Sequence, residues 1–125
     1  MINTVLLSIG SVVVFLWGIA HLAATKSVVS GFGNISEDHR RIITMEWLGG
    51  GLTLCFIGTI VMLSDVIGCS MNPVVPIIYR GSAIVLVIMA VISALTGAKT
   101  PILPMRICPV IKAAVAVMFF LGSVL

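Results

Sequence analysis

Four ionisable residues stand within or at the ends of long apolar stretches of this 125-residue chain: His21, Glu46, Asp65 and Arg80. A charged group at the centre of a bilayer costs roughly 2.5 to 3.5 kcal/mol on insertion scales, so each of these demands a partner, a wet cavity or a functional reason. His21 closes one apolar run shortly before Lys26, and Glu46 opens the next shortly after Arg41. If the two runs are antiparallel helices joined by the intervening loop, His21 and Glu46 lie at the same depth on neighbouring elements. An imidazole and a carboxylate so placed would form the polar end of a ligand pocket, holding the head of a quinone or lipid. The alternative is an inter-helix hydrogen bond with no ligand. Such a pocket would be walled by Trp17, Gly18, Gly50 and Thr53. Asp65 and Arg80 flank the next, shorter connection, and a structural ion pair clasping that hairpin is expected there.

The elements that must position these residues follow from composition. The chain is 60% hydrophobic and 9% charged, where a soluble domain is about a quarter charged, and its mean hydropathy is +1.29. A spanning helix takes about 20 mostly apolar residues, and no barrel-like alternation repeats along the sequence. The expected fold is an all-α integral membrane four-helix bundle forming a single domain, with helices at about 4–24, 42–67, 77–97 and 110–125. The first run has no Lys or Arg before it and exceeds a signal-peptide core, so it reads as a retained helix. Ser36 has the character of an N-cap, with Glu37 and Asp38 at the positive end of the helix dipole. Pro73, Pro76, Pro101, Pro104 and Pro109 mark the later connections. Lys26, Arg40, Arg41, Lys99, Arg106 and Lys112 fall on one side of such a bundle and Arg80 on the other. The positive-inside rule then puts both termini on the non-cytoplasmic side, and a prokaryotic cell membrane is the expected location.

Helical spacing sorts the small and polar residues into faces. Thr4, Ser8, Ser11, Gly18 and His21 share a side of the first helix, and Glu46, Gly50, Thr53 and Ser64 share a side of the second, so a weakly polar interior between those two faces is expected. Gly51, Cys55, Gly58 and Asp65 lie opposite, where they would admit the third or fourth helix or a second protomer. Other chemistries find no support. Cys55 falls mid-span while Cys69 and Cys108 fall at opposite membrane faces, which suits neither a disulfide framework nor a zinc site. His39 sits beside two arginines with no third ligand, so no metal or haem is expected. Gly31-Phe32-Gly33 lacks the further glycine and the preceding strand of a dinucleotide loop. No nucleophile with a matched histidine and carboxylate is evident, no cofactor is specified, and the net charge of +3 is explained by topology without a nucleic-acid partner.

The run Gly18-Ile19-Ala20-His21-Leu22 at the end of one helix, followed after a loop by Glu46-Trp47-Leu48 with Gly51 and Gly58, resembles the DoxX-like group of small four-helix membrane proteins. The resemblance covers about the first 65 residues and implies a four-helix fold. Some members of that group are associated with quinone-linked oxidation, which implies a lipophilic redox partner; no catalytic residues carry over. The function expected is binding of a lipophilic molecule, lipid or quinone, or service as an accessory subunit of a membrane complex, with an oligomeric small channel or transporter as the alternative. Membrane lipids, and a second copy of the chain or a larger membrane complex, are the expected partners.

Overall fold

Four helices long and apolar enough to cross a membrane organise the chain: α1 (Ile2–Ala23), α3 (Glu37–Ile67), α4 (Val74–Leu95) and α5 (Leu103–Val124), with a short α2 (Thr25–Ser30) after the first. The computed structural model describes residues 1–68 and 71–125, and every regular element among them is helical. The protein is an all-α integral membrane four-helix bundle. Its outer surface carries Leu52, Phe56, Ile77, Val110 and many other exposed apolar side chains, a surface that lipid tails solvate and water does not. Cys69 lies outside the described residues.

Local chemistry sets the helix bounds. Ser36 is the N-cap of α3, its hydroxyl accepting from the His39 amide at 3.2 Å. The fourth span begins at Leu103, well before Val110, because Pro104 occupies the first turn, where a missing N–H costs nothing. Pro109 lies inside α5 and removes one helical hydrogen bond without ending the helix. Pro76 likewise sits in the first turn of α4. The segment after Lys26, rich in loop-forming residues, folds in part as α2, which buries Val28 and Val29. The Thr25 hydroxyl donates to the Leu22 carbonyl at 2.7 Å across that junction.

The helices form a ring fastened on three edges. α1 packs extensively on α3 and on α5, and α5 on α4, whereas α3 and α4 barely touch. Leu7, Val14, Leu54, Val61, Leu86, Val115 and Phe119 fill the centre with almost no exposure. The α1–α3 edge is closest. A Cβ added to Gly18 would lie 2.8 Å from the Gly51 carbonyl oxygen, and one added to Gly58 would lie 2.7 Å from that of Ser11. The Gly51, Cys55 and Gly58 face of α3 therefore meets α1. It does not take α4, α5 or a second protomer, and it replaces the Glu46, Gly50 and Thr53 face as the partner of the His21 stripe. Glycine on both helices lets the backbones touch, and the tightest dispersion contact decides which faces meet.

Candidate functional site

His21, on the last turn of α1, is buried with 5% of its surface exposed. It stacks on the Trp47 indole of α3 at a ring separation of 3.5 Å and an interplanar angle of 11°. Its Nδ1 lies 3.2 Å from the Trp47 carbonyl oxygen. A carbonyl only accepts, so Nδ1 carries a proton, and the Trp47 Nε1–H donates back to the His21 carbonyl. On the far side of the ring, Nε2 faces the Cys108 sulfur of α5 at 3.7 Å, and that sulfur accepts from the Trp17 Nε1–H at 3.3 Å. Three helices are thus tied through one imidazole whose two nitrogens are both engaged. The contact expected between His21 and Glu46 is not made: the Trp47 carbonyl, one residue along and facing the closely packed α1, takes Nδ1, and Glu46 is exposed.

His21 and Glu46 nevertheless border the same cavity of about 410 Å³, together with Gly50 of α3, Met89 and Ser93 of α4, Thr96 just after it, and Cys108 and Lys112 of α5. Glu46 is exposed and stands at the open side. Lys112 is 6% exposed, and its ammonium donates to the Ser93 hydroxyl at 2.9 Å. At 1.5 Å per residue, Glu46 lies about 7 Å beyond Arg41 along α3 and Lys112 about 9 Å beyond Arg106 along α5, so the cavity floor sits below a rim of basic side chains. Lys112, Ser93 and Cys108 are the members that sequence reasoning missed as site residues. With the fourth span started at Val110, Lys112 stands just inside the first turn of that helix and reads as a membrane-face charge, and Cys108 falls before the helix at the same face. The signal available was the tolerance of a helical first turn for Pro104.

The other expected wall residues divide. Gly50 lines the cavity beside the His21 ring, which a Cβ there would meet at 3.4 Å. Trp17 stands behind Cys108 and reaches the site through the sulfur. Gly18 faces α3, against Gly51 and Cys55, and has no place on the cavity wall. Thr53 is exposed and donates to its own helix at the Gly49 carbonyl. It lines a second space, an apolar groove of about 330 Å³ between α3 and α4 with Phe56, Ile57, Ile78, Gly81 and Val85. One helical turn separates Gly50 from Thr53 on α3, and one turn separates Val85 from Met89 on α4, so groove and cavity run end to end along the open edge.

At the opposite end of the bundle the expected Asp65–Arg80 ion pair is absent; among the described residues the ion pairs are both made by Arg41, with Glu37 and Asp38. Asp65 instead accepts from the Ser8 hydroxyl of α1 at 3.3 Å, and Arg80 Nε donates to the Ser123 hydroxyl of α5 at 3.3 Å. The loose α3–α4 edge is the reason: each side chain turns to the neighbour its helix packs on. Among the described residues no cluster of histidine, cysteine or carboxylate side chains could hold a metal ion. No protein family, curated protein or solved structure matches the chain.

Proposed function

We propose that this protein binds an amphipathic molecule, a lipid or a quinone, with the polar head in the cavity at the basic end and the chain laid along the α3–α4 edge. The observation that carries this reading is the end-to-end placement of a polar-lined cavity and an apolar groove on the one loosely packed edge of the bundle. Head and tail of one molecule have the same arrangement. Glu46, Ser93 and Lys112 offer donors and acceptors to the head, with the His21 ring as part of the wall, and Thr53, Ile57 and Val85 offer a surface to the chain. The likeness to the DoxX-like group supports a quinone as one such ligand. A pore through a single chain has less support, because the tightly filled core of Leu7, Leu54, Leu86 and Phe119 lies between the cavity and the far end, with no continuous row of polar side chains across it among the described residues. The charge asymmetry supports an orientation with the cavity at the cytoplasmic face and both termini outside.

Native mass spectrometry of the protein released from membranes in mild detergent tests the reading. The expected result is a stoichiometric lipophilic adduct on the wild-type chain that is lost from a Gly50→Leu variant of unchanged thermal stability, since a leucine there projects into the cavity beside His21. Identical adduct patterns on the two proteins, or no adduct on either, would overturn it.

A further inference from the structure

Resting on the reading of the cavity as an amphiphile site, we infer that the head it selects is a single oxyanion group carried on an alkyl chain, taken by the Lys112 ammonium. Lys112 is almost fully buried, so the usual escape of a membrane lysine, running its amine out to the interface, is not in use. An ammonium has three donors, and the protein answers one of them, through the neutral hydroxyl of Ser93. Among the described residues no carboxylate stands within ion-pair distance of it. His21 is no substitute acceptor, because its two nitrogens are turned to Trp47 and Cys108. Glu46 borders the same cavity from α3 but stands exposed at the open side. A buried cation without a counter-ion is costly, and here it faces an empty volume large enough for a small head group. One cation on the floor and one carboxylate at the mouth favour a monoanion over a multiply charged group, which Glu46 would repel. The groove beginning one turn away receives the chain.

The chain carries two tryptophans; Trp47 borders the cavity and Trp17 stands directly behind Cys108. They report occupancy by heavy-atom quenching. The protein is reconstituted in nanodiscs of zwitterionic lipid and titrated with undecanoate and undecanol brominated at carbon 6, which keeps the bromine near the cavity end of the chain, in mildly alkaline buffer that keeps the acid ionised. A hydrogen bond to a charged group contributes about 1.5–3 kcal/mol. The carboxylate should therefore quench saturably at a concentration at least about tenfold below the alcohol. Lys112→Met should bring the carboxylate to the level of the alcohol and leave the alcohol unchanged, Lys112→Arg should retain most of the preference, and Glu46→Gln should leave carboxylate binding as tight or tighter. If Lys112→Met does not fold, Ser93→Ala, which frees the amine from its aiming contact, should reduce the preference on its own. Equal affinity for acid and alcohol, or an undiminished preference in Lys112→Met or, where that variant does not fold, in Ser93→Ala, would overturn the anion assignment and leave the amphiphile site standing. Displacement of the brominated acid by acetate as readily as by undecanoate would overturn the alkyl-borne head. Saturable quenching by neither probe in the wild type would remove both this inference and the amphiphile reading beneath it.

Discussion

Replacing Gly18 by alanine adds a single methyl group at the α1–α3 crossing, and the structure fixes what it meets. The new Cβ would lie 2.6 Å from the Cys55 sulfur, 2.8 Å from the Cys55 amide nitrogen and 2.8 Å from the Gly51 carbonyl oxygen. Two of those three atoms are backbone and cannot rotate aside, so the helices must separate by about 0.6 Å to restore ordinary contact. A gap of that size forfeits about a quarter or more of the dispersion well at neighbouring contacts, and overpacking of this kind typically costs about 1–3 kcal/mol. Against it stands the gain of about 0.8–1 kcal/mol when alanine replaces glycine inside a helix. The net expectation is a loss of up to about 2 kcal/mol for Gly18→Ala, whereas Gly49→Ala, whose Cβ meets nothing within 4 Å, should gain up to about 1 kcal/mol. Unfolding equilibria of the reconstituted protein, read by steric trapping or by SDS titration, measure both. Adding Cys55→Ala should not rescue Gly18→Ala, because the two backbone contacts persist. Equal stability of the Gly18 and Gly49 variants, or full rescue by Cys55→Ala, would refute a backbone-limited crossing.

Exchanging the charges at Asp65 and Arg80 should show no coupling beyond about 0.3–0.5 kcal/mol in a double-mutant cycle of stability, while Ser8→Ala with Asp65→Asn should be non-additive. His21→Ala should destabilise the bundle by about 2–4 kcal/mol, since it removes the stacking on Trp47 and the hydrogen bond to its carbonyl and leaves a cavity, and tryptophan emission should shift as the ring environment changes. A single reactive cysteine placed at Asn34 should be shielded from an impermeant thiol reagent on intact cells, and one placed at Asn72 should be labelled; the opposite pattern would reverse the proposed orientation.

The fold class was legible because composition alone leaves helices as the solution, and the Ser36 cap was legible because its chemistry is local. The depth shared by His21 and Glu46 also followed from residue counting, and both border one cavity. What that counting cannot supply is azimuth. Helical periodicity separates the two faces of α3, yet it does not say that the Gly51, Cys55 and Gly58 face would take α1; backbone contact at Gly18 decides that in three dimensions. The same limit explains Asp65 and Arg80, which sit at matching depth on successive helices whose facing sides scarcely pack. A boundary error of seven residues, two helical turns, at a proline that a first turn accommodates left Cys108 outside the fourth helix and Lys112 in its first turn. Moving the start of α5 to Leu103 carries both side chains from the rim to the interior.

An open lateral edge changes the quantity that governs occupancy. A site entered from water fills according to the aqueous concentration of its ligand, but the α3–α4 groove lies within the apolar spans of both helices, and on the proposed binding reading a molecule reaching the cavity along it would arrive by diffusion in two dimensions. Its effective concentration is then its mole fraction in the surrounding leaflet, a quantity that dilution of the sample leaves unchanged. Encounter is further confined to one face of the protein, so a neighbour seated on α3 and α4 would shut the entrance while leaving the fastened edges, and the stability they supply, untouched.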